Sequence, residues 1–201
     1  MCFFCIFVLN LIVYIMVTVQ ITDNFLEKNN FIKLQEYCKK DFSIVELGGK
    51  EFSLLETPKD LLPLLEIQGL KQVVSFVRSA YKGFDEDLRV HADNIIDGYR
   101  IEYASVLYVN DDKDVTENGT CFYTHQKYGS RLHKNVSNEE YDRIITLDSN
   151  DEEKWKRTSY ISNVPNRYLI YEANLFHGKF PKIIEKGVRK VVVTFYTKPN
   201  S

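Results

Sequence analysis

In the stretch RVHADNIID, His91 and Asp93 sit two residues apart. An imidazole and a carboxylate are both ligands for a first-row divalent metal. In an extended segment residues i and i+2 project to the same side, so this pair can grip one ion from one direction. Two ligands hold an ion weakly. A third from a distant segment would complete a facial triad and leave three coordination positions open, the arrangement Fe(II) uses for O2 chemistry. His177, in LFHGKF just after the run NRYLIYEA and at a turn with Gly178 and Pro181, is the natural third ligand. With His 4 in the composition, a chance His-x-Asp is unremarkable. The order of parts carries the weight: the pair near the start of a strand-rich half, a His near its end, then GVRK. Arg189 lies in VRKVVVTFY, with Lys190, Val192 and Thr194 on the opposite face. A buried guanidinium is costly unless paired, and its planar fork matches a carboxylate. Arg189 therefore asks for an anionic partner.

The elements that must position these residues change character along the chain. VTVQIT (17–22) alternates like a strand, and Asp23 or Asn24 can cap a following helix with Phe25, Phe31, Ile32, Leu34 and Cys38 on its apolar side. FSIVEL and EFSLLE flank Gly48-Gly49 as a hairpin. TPKDLLPLLE opens with Pro58 in a good first-turn position. LKQVVSFVRSAYKG (70–83) predicts a helix, with a stripe of Val73, Phe76, Val77 and Ala80 ended by Gly83. Beyond Gly83 the segments are short, β-branched or aromatic, and separated by turn residues: LRVHADNII, YRIEYASVLYVN, GTCFYTHQ, WKRTSYIS, NRYLIYEA and VRKVVVTFYT. That pattern predicts a mainly β protein, a sandwich or jelly roll (84–198) behind N-terminal helical support (17–83). The long polar segment 126–154 breaks the spacing and reads as a lid or binding loop.

Bulk properties bound the class. The 201 residues suit one domain, and 44% hydrophobic with 27% charged content is ordinary for a globular chain. The net charge of −2 gives no general pull toward nucleic acid. Cys2 and Cys5 form a lone CxxC in an apolar run, a poor zinc site, while Cys38 and Cys121 read as reduced thiols of a cytoplasmic protein. Residues 2–19 carry no charged side chain, long enough for a membrane span but without a signal peptide's basic start. Met16 opens a strand-and-helix pattern, so residues 1–16 read as an extension and 17–201 as the domain. A membrane anchor through residues 2–19 is the alternative.

The strand-rich half resembles the 2-oxoglutarate/Fe(II)-dependent dioxygenases, most closely the prolyl 4-hydroxylase-like branch. The matching parts are HAD at 91–93, SVLYVN at 105–110, NGTCFY at 118–123, PNRYLIYEANLFHG at 165–178 and GVR at 187–189. The resemblance implies a double-stranded β-helix (jelly roll, cupin-like) with N-terminal helices packed on one sheet. It implies that His91, Asp93 and His177 bind Fe(II), that Arg189 pairs with the distal carboxylate of 2-oxoglutarate, and that Thr120 adds a hydroxyl to that co-substrate. O2 is then the second co-substrate, and ascorbate an accessory reductant. The implied reaction is hydroxylation of a small-molecule or peptidyl substrate, such as proline, with release of succinate and CO2. Halogenating members replace the metal-binding carboxylate, and Asp93 is present. Two positions depart from the pattern: Val191 stands where many members have Ser, and Asn118-Gly119 where many have two glycines.

Other candidates have plainer readings. His125 reads as a strand-end residue and His133 as a solvated one. Trp155 suits packing, Tyr99 and Arg100 lie near the expected mouth, and Arg89 shares a face with His91. The sequons at Asn118 and Asn135 carry no weight in a cytoplasmic chain. NDDKD (110–114) reads as a solvated acidic turn. The rival class is a non-catalytic cupin- or lectin-type module, which would have no need of a buried Arg189. The sequence names neither the substrate nor the oligomeric state.

Overall fold

The computed structural model describes residues 19–47, 50–85, 89–110 and 117–199. The Gly48-Gly49 turn, most of the acidic turn at 110–114, Cys2, Cys5 and the alternatives for residues 1–16 lie outside them. The chain runs from strand β1 (Val19–Thr22) to helix α1 (Lys28–Tyr37), the hairpin β2 (Ser43–Leu47) and β3 (Lys50–Glu56), and the long strand β4 (Lys71–Tyr81). The short hairpin β5 (Ile95–Ile96) and β6 (Tyr99–Arg100) follows, then β7 (Tyr103–Tyr108) and β8 (Gly119–His125). Helix α2 (Asn138–Arg143) precedes β9 (Trp155–Ile161), β10 (Tyr168–Glu172), β11 (His177–Phe180) and β12 (Val188–Thr197).

Two antiparallel sheets carry the fold. The larger has the order β1-β10-β7-β12-β4-β3-β2, the smaller β11-β8-β9. The arm holding His91 adds to the smaller sheet through a bridge between His91 and His177. The architecture is the expected jelly roll. Strand alternation divides its apolar residues between layers. Val106, Tyr108, Phe122, Tyr171, Val191 and Phe195 meet between the sheets. Leu107, Val109, Val192 and Tyr168 point the other way, where Leu34 and Cys38 of the α1 region cover them. Among the described residues no helix is long and apolar enough to cross a membrane.

Several elements differ from expectation. Residues 70–83 form no helix: β4 pairs with β12 on one side and β3 on the other. Its Val73, Val74 and Val77 are β-branched and suit a pleated surface, and flanking ladders override the helix-like spacing. Among the described residues the helical support shrinks to α1 and a 3-10 turn at Leu62–Leu65, with Pro63 rather than Pro58 in its first turn. Neither Asp23 nor Asn24 caps α1. Glu27 stands at its N-cap, Asn24 has φ 52°, and Asp23 pairs with Arg167 Nε at 2.6 Å. Ile32 faces solvent at 44% exposure rather than the core. His177 opens β11 instead of sitting in a turn.

The segment 126–154 does not overhang the space between the sheets. It packs outside the smaller one, where Tyr128, Leu132 and Ile144 cluster with Val90, Ala92, Cys121, Tyr123 and Phe176. A buried polar knot stiffens it. His125 Nδ1 accepts from the Lys127 amide at 3.0 Å, His125 Nε2 meets Asp148 Oδ2 at 3.2 Å, and the Trp155 indole donates to the Asp148 carbonyl at 2.7 Å. Burial pulls the His125 pKa down, against the opposing pull of Asp148.

Candidate metal and carboxylate site

The two ends of the His-x-Asp-to-His spacing meet. His91 and His177 exchange backbone hydrogen bonds of 2.9 and 2.8 Å across the bridge between the arm and β11. Their rings face each other with centroids 4.6 Å apart. Alternation along the arm turns His91 and Asp93 inward, while Val90 and Ala92 enter the cluster beneath the 126–154 segment. Gly178 permits the approach, because a Cβ there would stand 2.9 Å from the Arg89 carbonyl oxygen. Four main-chain contacts fix the arm. Besides the histidine bridge, the Asp93 amide donates to the Ala173 carbonyl at 2.8 Å, and the Val90 amide to Ser149 at 3.3 Å. The Tyr141 hydroxyl donates to the Ala92 carbonyl at 2.6 Å.

Both imidazoles are held through Nδ1. His177 Nδ1 lies 2.9 Å from the Leu175 carbonyl and His91 Nδ1 3.3 Å from that of Arg89. A carbonyl can only accept, so in the neutral imidazoles each Nδ1 carries the proton and each Nε2 keeps its lone pair. Those lone pairs face Asp93: His91 Nε2 is 3.8 Å from Oδ1 and His177 Nε2 is 3.6 Å from Oδ2. These separations are too long for hydrogen bonds. Atoms bound about 2.1 Å from one ion lie roughly 3 Å apart at right angles, so small rotations would bring all three onto a common centre. The three ligand atoms lie within 4.8 Å of one another. Asp93 Oδ2 is buried and has no hydrogen-bond partner among the described residues. An unpaired buried carboxylate oxygen is costly, and a cation between it and two imidazole lone pairs removes the cost. The residues present fit a divalent metal.

The triad opens into a cavity of about 110 Å³ between the sheets. Arg189 lines it, 9% exposed, facing inward with Val191, Val193 and Phe195 along β12. Ala80 is its neighbour on β4, and that small side chain leaves room for the guanidinium. Nε donates to the Asn118 carbonyl at 2.8 Å. Among the described residues no carboxylate forms an ion pair with Arg189. Burial pulls its pKa below the ordinary value, with Tyr108 opposing and Arg78 adding repulsion. Thr120, also inward-facing, shares a 2.8 Å hydrogen bond with the Tyr108 hydroxyl. Tyr108 lies close by, with the Arg189 Cζ 5.8 Å from its ring centroid. Phe122 of β8 pairs with His177, and Asn118, just before that strand, meets Arg189. At about 3.3 Å per residue, the guanidinium sits on the order of 10 Å from the triad.

All five residues singled out from the sequence face this one space. Tyr108, Tyr171, Arg78 and Asp85 line or adjoin it without having been singled out. Tyr108 was readable in SVLYVN, where Val106 and Tyr108 share the inward parity. Asp85 forms a two-pronged pair with Arg78 at 2.7 and 2.5 Å, which depends on a turn with no sequence signature. Tyr171 was hidden in an aromatic run: its hydroxyl lies 3.0 Å from His177 Nε2. Burial, reinforced by the Asp93 carboxylate, holds that phenol well above its ordinary pKa, so it stays protonated. Tyr99 and Arg100 form β6 and are not among the cavity's lining residues, His125 is structural, and His133 is exposed.

No family model and no curated protein sequence matches the chain. Solved structures do. HygX from Streptomyces hygroscopicus, with nickel and 2-oxoglutarate bound, is 12% identical, with 91% of this chain and 84% of that one covered and a TM-score of 0.59. The non-heme alpha ketoglutarate dependent carbocyclase SnoK from nogalamycin biosynthesis is 14% identical over 90% of this chain and 80% of its own, with a TM-score of 0.62. A Pseudomonas putida prolyl-4-hydroxylase is 10% identical over 90% and 92%, with a TM-score of 0.53. At these identities the likeness is one of fold.

Proposed function

We propose that this chain is an Fe(II)- and 2-oxoglutarate-dependent oxygenase that hydroxylates a C–H bond of its substrate. One observation carries the reading. The Asp93 carboxylate, whose buried Oδ2 has no hydrogen-bond donor among the described residues, faces two imidazole lone pairs, across a small cavity from a buried Arg189 that forms no ion pair with a carboxylate among the described residues. A metal answers the first deficit and a dicarboxylate the second. Structural neighbours solved with iron, or with nickel and 2-oxoglutarate, support the pairing of these two groups on this fold.

His91 Nε2, an Asp93 oxygen and His177 Nε2 would hold the iron, leaving one face of it open. Iron with 2-oxoglutarate supplies the oxidising chemistry: O2 is consumed, the keto acid becomes succinate and CO2, and one oxygen atom enters the substrate. The chain's own part is positional. Arg189 takes the distal carboxylate, and Tyr108 and Thr120 supply the hydroxyls that Val191 cannot. Val191, Val193 and Phe195 form a dry wall that excludes water and strengthens the charge pairing. The backbone hold on both Nδ1 atoms keeps each Nε2 aimed at the centre. Ascorbate would act as an external reductant.

Assignment to the prolyl 4-hydroxylase-like branch rests on the five motifs above and on the fold shared with the Pseudomonas putida enzyme. It favours a peptidyl residue such as proline over a free small molecule. Hydroxylation is our choice of outcome because Asp93 keeps a carboxylate on the metal. Buried, unbridged Cys38 and Cys121 suit a reducing cytoplasmic setting.

Anaerobic Fe(II) and 2-oxoglutarate should give purified protein the visible charge-transfer band of a chelated keto acid, absent in His91→Ala. A folded, iron-loaded wild-type protein without that band would replace this reading with a metal-binding module.

A further inference from the structure

We propose that Tyr171 trades partners when metal is loaded. Its hydroxyl occupies His177 Nε2 in the metal-free protein, then donates to an oxygen of the incoming keto acid once metal holds that nitrogen. The inference rests on the oxygenase reading and adds a positioning residue to it.

The argument begins with a conflict at one atom. His177 Nδ1 spends its proton on the Leu175 carbonyl at 2.9 Å, so Nε2 has a single lone pair and no hydrogen. The Tyr171 hydroxyl lies 3.0 Å from Nε2 and must be the donor. That same lone pair faces Asp93 Oδ2, the buried oxygen with no partner. One lone pair cannot serve both a phenol and a metal. Metal binding at the triad therefore ejects the Tyr171 hydroxyl from its present bond.

The ejected hydroxyl cannot turn to bulk water, because Tyr171 is 3% exposed on the inner face of β10. On one side its ring meets Phe122 at 5.3 Å in an edge-on contact, which offers no strong acceptor. On the other side is the cavity, which Tyr171 lines beside His177 and Asp93. A buried hydroxyl left without a partner is penalised, so an acceptor arriving in the cavity gains from the redirected donor. The keto and carboxylate oxygens of a chelating 2-oxo acid are the acceptors that the proposed function brings there. Tyr171 then opposes metal entry and favours co-substrate entry, two effects of opposite sign from one hydroxyl.

Cobalt(II), which absorbs in the visible, tests both halves without turnover. Competition titration against a chelator gives the cobalt affinity of wild type and Tyr171→Phe. Titration of 2-oxoglutarate into each cobalt-loaded protein gives the second affinity. The variant should bind cobalt about three- to tenfold more tightly, and 2-oxoglutarate about three- to tenfold more weakly, each the equivalent of one neutral hydrogen bond. Arg189→Met should weaken 2-oxoglutarate alone, which separates loss of an anion partner from the exchange at Nε2. Tyr171→Met also lacks the hydroxyl and serves if the Phe variant does not fold. Unchanged or weaker cobalt binding overturns the proposal, as does unchanged 2-oxoglutarate binding. Failure of wild type to bind cobalt overturns the oxygenase reading and this proposal with it.

Discussion

Arg189→Met should push stability and co-substrate affinity in opposite directions. Methionine roughly matches the volume of the guanidinium stem and fills the space beside Ala80 and Val191. In the metal-free protein Arg189 holds a desolvated charge that donates to a neutral acceptor, the Asn118 carbonyl at 2.8 Å, and forms no ion pair with a carboxylate among the described residues. Losing that bond costs about 1–3 kcal/mol. Removing an uncompensated buried charge returns several kcal/mol. The net is a gain of about 1–2 kcal/mol, which for a chain of this size raises Tm by about 2–8 °C. Co-substrate affinity goes the other way. Truncating one partner of a buried, hydrogen-bonded charge pair costs about 2–5 kcal/mol, at least a thirtyfold loss of 2-oxoglutarate binding. Differential scanning calorimetry of metal-free protein and titration of the cobalt-loaded protein measure the two numbers. A Tm lowered by several degrees with 2-oxoglutarate affinity unchanged would show that Arg189 serves the fold, and would refute the carboxylate assignment.

Two further outcomes follow from the arm and from the knot behind it. Gly178→Ala places a Cβ 2.9 Å from the Arg89 carbonyl, so it should displace the His91 arm and weaken cobalt binding at least tenfold while far-UV circular dichroism stays unchanged; full-affinity binding would mean that the arm adjusts freely. His125 has a folded-state pKa below its unfolded value near 6.5, so the unfolded chain takes up protons first as pH falls. Its contribution is present above that value and is lost as pH drops through the depressed folded pKa. Urea denaturation at steps from pH 7.5 to pH 5 should show a steeper loss for wild type than for His125→Gln, and parallel curves would place the charge elsewhere.

What could be read from the sequence follows the physics of each signal. Period-two alternation made the β half legible, because inward and outward residues separate cleanly in β7, β10 and β12. It also placed Arg189 opposite Lys190 and Val192. Strand β4 shows where local pattern runs out. Val73, Phe76, Val77 and Ala80 fit a helical stripe, and only two neighbouring ladders, with β12 and β3, make the segment a strand. Those partners are far away in sequence, so no window over 70–83 contains them. The same reasoning explains Tyr171: that a phenol lands on His177 Nε2 depends on β10 and β11 lying in different sheets.

The segment 126–154 is the clearest case of position deciding function differently from composition. Its polarity suggests a lid or binding loop, yet Tyr128, Leu132 and Ile144 bury themselves against Val90 and Ala92, the outward half of the arm. Two of the arm's four main-chain contacts come from it: Tyr141 to Ala92 and Ser149 to Val90. Among the described residues the arm belongs to no continuous ladder, and the bridge at His91 is its one pairing with β11. A ligand pair on so thin a strand needs support from behind, or His91 and Asp93 would sample orientations that miss the centre. A gap of even 1 Å matters for a metal whose bonds are about 2.1 Å long. The segment is therefore coupled to the site through the backbone of the ligands, not through the substrate space. Changes in its core, at Ile144 or Tyr141, should reach the metal before they reach anything bound in the cavity.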